Sequence, residues 1–187
     1  MIIAFLGKTV KEYLKKYPIL LSSIHLICPI CEGSCHNHCW YKRKVREPEL
    51  ITIVILRVKC TKCGATHAVL PDFIYPKGIY SEPEREATIT SCESEGRTQE
   101  MASQVQSVKT TQRWITRYRK TIKPVIAAFQ SILARLGVYD ITATGSQLEQ
   151  IRELDSGIEK ALKPITSSCW FGKLNILLSW QNMRLWI

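Results

Sequence analysis

No stretch of this sequence stays apolar for the ~20 residues that a helix needs to cross a bilayer. Met1 to Leu6 is too short for the apolar region of a secretory signal, and Lys8, Lys11, Lys15 and Lys16 follow at once. Ser22, Ser23 and His25 interrupt the apolar run that starts at Ile19, and Lys173, Asn175, Gln181, Asn182 and Arg184 break up the C-terminal one. The reading is a cytoplasmic chain with no membrane partner. The phosphate-cradling GxxxxGK[ST], the zinc-protease HExxH and the nucleophile-elbow GxSxG patterns are also missing. A metal-dependent nuclease commonly needs three carboxylates on a sheet. Here Asp72, Asp140, Asp155 and thirteen glutamates fall mostly on predicted helices or loops, and nothing after residue 120 alternates strand and helix. The expectation is a chain that is not an enzyme by itself.

Acidic side chains are scarce in particular places. The 26 Lys and Arg outnumber 16 Asp and Glu, for a formal net charge of +10. Residues 28–63 carry seven basic and three acidic side chains, whereas 64–100 carry three and seven. Residues 101–139 carry seven basic side chains and no acidic one. A charge added for solubility alone would be spread out. Segregated charge predicts basic faces and an anionic partner, with nucleic acid ahead of a membrane surface.

Cysteine is abundant, at eight residues, but the spacing differs from that of a secreted disulfide scaffold. Cys28-Pro29-Ile30-Cys31 and Cys60-Thr61-Lys62-Cys63-Gly64 are two CxxC pairs, each able to present two sulfurs from one tight turn. Gly64 supplies the conformation in which the chain leaves the second turn; the first pair has Glu32 there and Gly33 one residue later. Between the pairs lie a basic strand candidate, Cys39–Arg46, a turn at Glu47-Pro48-Glu49, and a β-branched run, Leu50–Lys59. Knuckle, hairpin and knuckle make a zinc ribbon with Cys28, Cys31, Cys60 and Cys63 as a closed structural Zn site. Disulfides or free thiols are the alternative reading. Cys35, His36, His38 and Cys39 offer four more ligand types, read as ordinary residues of the first hairpin strand, with a replaced ligand or a second ion as the alternative. His25 and His67 lack partners at ligand spacing and read as structural, and Cys92 and Cys169 read as lone thiols.

Pro71, Pro76, Gly78 and Pro83 punctuate the exit from the hairpin, and a helix is expected from Ser81 to Glu95-Gly96. Thr98 then caps two helical turns to Val105, a turn follows, and Thr110 caps a second helix from Thr111 to Lys120. With Met101, Val105, Val108, Trp114 and Ile115 as shared core, this pattern is a helix-turn-helix. Arg113, Arg117 and Lys120 share one helix face, with Lys109, Thr111 and Gln112 near its start, where a recognition helix meets base edges. A solvated basic face is the plainer reading. Lys42 and Arg43 extend the candidate DNA contacts into the ribbon. Pro124 is expected to break or kink the helix, which resumes over Val125–Leu136. Ser146 and Glu149 form a capping box for a last helix whose Leu148, Ile151, Leu154, Ile158 and Leu162 make one apolar stripe.

The segment from Leu26 to Tyr80, with CPIC, an HxH before WYKR, the string ILRVKCTKCGATHAVLPDF and a following YS, resembles a bacterial zinc-ribbon and helix-turn-helix domain of insertion-element, transposase-like proteins. Lys11–Leu14 and the RWITRYR helix share the likeness, which covers roughly residues 9–120. The resemblance implies that the four CxxC cysteines ligate zinc and that the helices after Ser81 bind DNA.

The fold expected is α+β: an N-terminal zinc-ribbon β-hairpin, then an all-α helix-turn-helix region and C-terminal helices. Its parts are a helical lead-in over 1–25, the ribbon over 26–80, the helix-turn-helix over 81–123 and a helical region over 124–187. The function expected is zinc-dependent binding of double-stranded DNA, as a transposase-like recognition module or a regulator. The alternative is a zinc-stabilised interaction module that takes a protein partner, or a second copy of itself, through the last helix and the tail bearing Trp170, Phe171, Trp180 and Trp186.

Overall fold

In a computed structural model the chain forms two compact units, the first from Met1–Glu82 and the second from the described residues from Pro83 onward. The structure describes all residues except Phe5, Lys8, 21–24, Lys77, Gln104, 139–143 and 162–187.

The first unit contains β1 (Ile2–Ala4), α1 (Val10–Leu20), β2 (Leu26–Ile27), β3 (Ser34–Glu47), β4 (Glu49–Cys60) and β5 (Thr66–Pro71). The β-branched run of the sequence becomes β4, the middle strand of a five-stranded sheet ordered β1-β5-β4-β3-β2. Burial alternates along β4: Thr52, Val54, Arg57 and Lys59 are exposed, so one side of the strand is covered and the other meets water. Ile53, Ile55, Leu56 and Val58 are accordingly fully buried, in a core with Val45, Val69, Leu70 and Phe73. Helix α1 adds Val10 and Tyr13, and the Tyr13 hydroxyl donates to the Val54 carbonyl at 2.7 Å. The first turn of α1 is tied to the hairpin, because the Val10 N–H donates to the Glu47 carboxylate at 3.1 Å.

This sheet corrects the expected architecture. The hairpin does reverse at Pro48, with Glu47 opposite Glu49, but it is the middle of a mixed sheet and not a free ribbon. Strand β5 pairs antiparallel with β4, and β1 pairs parallel with β5, Ile2 opposite Val69. Residues 1–25, read as a helical lead-in, therefore supply an edge strand as well as a helix. The physical reason is that a two-stranded hairpin is marginal alone: β5 and β1 pair the open edge of β4 and add Val69, Leu70 and Ile3 to the buried residues.

The second unit contains α2 (Glu82–Glu93), α3 (Gln99–Ala102), α4 (Val108–Arg135) and α5 (Gln147–Ala161). The expected helix-turn-helix is not what forms. Its first helix shrinks to the four residues of α3, capped by Thr98, and its second is the start of a 28-residue helix. Ser107, not Thr110, caps α4 by accepting from the Thr110 N–H. Pro124 lies inside α4 without ending it. Ile122, Val125, Ile126 and Phe129 are buried on both sides of the proline, and this packing outweighs the lost backbone bond. Four residues of the α5 stripe are core: Leu148, Ile151, Leu154 and Ile158 are buried, and α5 packs on α4, while Leu162 lies outside the described residues. A polar clamp joins α2 to the start of α4, in which the Gln106 side-chain amide donates to the hydroxyls of Thr88 and Thr111 at 3.1 and 3.0 Å.

Candidate metal centre and basic helix face

Both CxxC pairs fold into the same turn. Cys28 N–H donates to the Gly33 carbonyl at 2.8 Å and Glu32 N–H to the Cys28 carbonyl at 2.9 Å. The second turn repeats this with Cys60 to Ala65 at 2.9 Å and Gly64 to Cys60 at 3.1 Å. Glu32 and Gly64 occupy equivalent places, and both have positive φ, 58° and 72°. Glycine adopts that conformation freely and glutamate at a cost of about 1 kcal/mol. Gly33 serves a different purpose. A Cβ there would lie 2.8 Å from Lys62 Cβ, 3.1 Å from the Cys60 sulfur and 3.4 Å from the Cys31 sulfur. The residue gives room for the second knuckle to close on the first.

The turns bring the sulfurs of Cys28, Cys31, Cys60 and Cys63 within 4.8 Å of one another. Cys28 and Cys63 are 3.7 Å apart and Cys31 and Cys60 3.5 Å. A tetrahedral ion with metal–sulfur bonds of about 2.3 Å has sulfur–sulfur edges of about 3.8 Å, so the donor set fits such an ion. Backbone N–H groups point at the sulfurs, Ile30 to Cys28 at 3.5 Å and Lys62 to Cys60 at 3.3 Å. The N–H of Cys63, above all, lowers the Cys60 thiol to about 6. Against a backbone bond from Ala65 that lowers it, the Cys31 sulfur and then burial push Cys63 up to about 12. Thiols this close do not all ionise without a cation among them, which is the condition a bound metal supplies. The arrangement can hold a metal ion.

Two residues outside the spacing rule reach this cluster. His67, read as structural, is buried and places Nε2 3.2 Å from the Cys28 sulfur and Nδ1 3.1 Å from the Met1 amine. Burial first, and then the amine charge, hold its pKa below the usual value, which favours the uncharged ring beside the Cys28 sulfur. Cys35 is the cross-strand partner of Cys60. Burial, followed by the neighbouring cysteines, pushes its thiol up to about 11. His36, His38 and Cys39 are exposed on β3 and take no part in the cluster. Reflection of the hairpin through Pro48 alone would place His36 opposite Cys60. A bulge between Asn37 and Cys39 moves the register by one and puts Cys35 there instead.

The basic residues divide by what they touch. Lys109, Gln112, Arg113, Thr116, Arg117, Lys120 and Thr121 line one groove of about 590 Å³ on α4. Lys109, Gln112, Arg113 and Lys120 are exposed, and Arg117 is half-buried. Thr111 is fully buried, with its hydroxyl bonded to Ser103 at 2.7 Å and to Gln106 at 3.0 Å, so it faces the interior and not the groove. Arg119 is tied to Glu93 at 3.0 Å. In the first unit Lys42 is exposed, but Arg43 donates from Nη2 to the carbonyls of Tyr75, Pro76 and Gly78 at 2.6, 3.0 and 2.9 Å. That contact pins the loop after β5 to β3, a structural task that the basic composition of the strand conceals. Cys169 and the tryptophan-rich tail lie outside the described residues, and Cys92 is half-buried. Among the described residues no helix is long and apolar enough to cross a membrane.

A family model described as a domain of unknown function, DUF6431, matches residues 28–114. The match runs from the first cysteine of the cluster to Trp114 in α4, a little under half the chain, and over that span the chain is similar to this family. The description names no activity and carries no tie to insertion elements or to zinc ribbons. No curated protein and no solved structure matches the chain.

Proposed function

We propose that this chain is a zinc-stabilised, non-catalytic protein that binds double-stranded DNA through the basic face of α4. The observation that carries the reading is the groove where Lys109, Arg113, Arg117 and Lys120 lie along one helix face with Gln112 and Thr116. No acidic side chain occurs between Glu100 and Asp140, so nothing along this helix neutralises the face from within. Cations spaced by one helical turn meet successive phosphates, and Gln112 adds an amide able to pair with a base edge. The four-cysteine cluster holds the ion that stabilises the first unit, and zinc is the metal whose usual ligands are four thiolates. A recognition module of a mobile element and a regulator are both uses of such a protein. A protein-partner reading through α5 gains no support from the fold, because the stripe on that helix is packed against α4.

The test is a binding titration on random duplex DNA at two salt concentrations, with elemental analysis of protein purified without chelator. Four neutralised phosphates predict about 100-fold weaker binding on going from about 50 to about 200 mM salt. Exchange of the exposed Lys109, Arg113 and Lys120 for alanine together is expected to lower the salt slope by about 0.9 for each phosphate no longer neutralised, with the thermal midpoint nearly unchanged. Unchanged affinity and slope in that triple variant would remove the DNA assignment from α4. Iron in place of zinc, or no metal, would overturn the zinc assignment.

A further inference from the structure

The antiparallel pairing of β3 with β4 starts with Cys35 opposite Cys60. The adjacent pair, Ser34 with Thr61, is joined by a backbone hydrogen bond, Thr61 N–H to Ser34 carbonyl at 3.0 Å. Hydrogen-bonded and non-hydrogen-bonded pairs alternate along an antiparallel ladder, so Cys35 and Cys60 form a non-hydrogen-bonded pair. Cys60 in turn spends its N–H on Ala65, and its carbonyl accepts from Gly64, not on Cys35. Cα atoms of such a pair stand about 4.5 Å apart with their side chains at closest approach, inside the ~4.4–6.8 Å window of a disulfide. Cys35 therefore stands as a fifth thiol beside a four-thiol cluster, placed by the ladder at bonding range of one member.

We propose that Cys35 is a thiol modification site, at which a hydroperoxide converts Cys35 and Cys60 into a cross-strand disulfide that removes Cys60 from the metal. The proposal rests on the metal reading above. Cys60 is itself buried, but its sulfur lies within 4.8 Å of those of half-buried Cys31 and exposed Cys63, through which a molecule as small as peroxide reaches it. The Cys60 thiolate attacks one peroxide oxygen and the O–O bond breaks. With one proton taken up, the products are Cys60 sulfenic acid and water. The Cys35 sulfur then attacks the Cys60 sulfur, the S–O bond breaks, and the departing hydroxide takes the Cys35 proton to leave as a second water. Two thiols are oxidised by two electrons and one peroxide is reduced. The ion keeps three of its four sulfurs and is lost to a chelator far more readily than before.

The experiment starts from full-length protein whose metal content has been measured. It is treated with hydrogen peroxide in the presence of a colorimetric chelator, then denatured, alkylated and mapped by peptide mass spectrometry. The expected result is a Cys35–Cys60 link formed in step with metal release, and metal re-bound after a dithiol reductant and fresh zinc. Cys35→Ser should start with the same metal content. After peroxide it should carry sulfinic or sulfonic acid at Cys60, and re-bind metal about tenfold less completely. Cys60 linked to Cys31 or Cys63 with Cys35 still a free thiol would overturn the proposal, as would full recovery of metal by Cys35→Ser. If untreated protein holds no metal, the metal reading fails and the displacement half of the proposal falls with it. The peptide map still decides the Cys35–Cys60 link in that case.

Discussion

Two residues of the first unit carry structural loads that their chemistry does not announce. Gly33 packs against both knuckles, so Gly33→Ala forces a Cβ into Lys62 and the Cys60 sulfur. Overpacking of this kind costs about 1–3 kcal/mol, and we expect the variant to lose metal to a chelator at lower chelator concentration than the parent. Glu32→Gly at the equivalent of Gly64 is a control on the same loop. It relieves about 1 kcal/mol of backbone strain and gives back a similar amount in unfolded-chain entropy, so stability in urea should hardly move. Arg43→Ala removes three charge-assisted bonds to the loop carbonyls of Tyr75, Pro76 and Gly78. A loss of about 2–3 kcal/mol is expected, read as a lower urea midpoint with an unchanged slope. All three contacts come from one nitrogen, Nη2, which an ammonium on a shorter stem can replace only where it reaches the same point, so Arg43→Lys should recover part of the loss.

Among the elements, α4 and β3 each show how packing and edge chemistry override local preference. Pro124 sits exposed inside α4, where proline is about 3 kcal/mol less favourable than alanine. Pro124→Ala should therefore raise the thermal midpoint, with a gain below that figure because the helix has already adapted. A fall in the midpoint would mean that the proline shapes the packing of α4. At α5 the Ser146 N–H donates to the Glu149 carboxylate at 2.7 Å, while the Ser146 hydroxyl accepts from the Glu149 N–H at 3.3 Å. The Ser146 N–H is the main cause that holds Glu149 below the usual carboxylate range. A lowered pKa in the fold means stability present above the ordinary carboxylate pKa and lost as pH falls through the depressed one. The midpoint difference between the parent and Glu149→Gln should thus shrink on acidification. On its outer side strand β3 is paired by β2 at Ser34 and Cys35 and bridged by Tyr80 at Arg46, which leaves the stretch between them open. Its Lys42 and Lys44, with the bulge at Asn37/Cys39, are the devices that keep an open edge from pairing with another chain.

For the whole molecule, the division into two units predicts that metal removal is a local event. Thiolate ligands must lose their protons to bind, so metal is expected to leave as pH falls as well as on addition of chelator. Hydrogen exchange on the full chain with chelator should speed up at β3, β4 and β5 and leave α4 and α5 close to their original rates. Uniform acceleration of both units would show that the ion supports the entire fold. A basic face on a helix outside the metal unit predicts that DNA binding weakens steeply with salt, and responds to chelator less than the first unit's stability does.

Local chemistry made much of this readable from the residues alone. Each CxxC turn closes within six residues, the reversal at Pro48 sits between two strand-forming runs, and the stripes on α4 and α5 repeat at helical period. The groove-lining Lys109, Gln112, Arg113, Arg117 and Lys120 follow from that period too. Other features depend on contacts between residues far apart in the chain. The parallel pairing of β1 with β5, the pinning of a loop by Arg43 and the burial of Thr111 have no signature in any short window. The register that sets Cys35 rather than His36 against Cys60 belongs with them. Hydrogen bonds within a turn and side-chain period are settled by neighbours, whereas strand order and register are settled by which arrangement pairs both edges of β4 and buries Ile53, Ile55, Leu56 and Val58. That choice is made by the folded core as a whole.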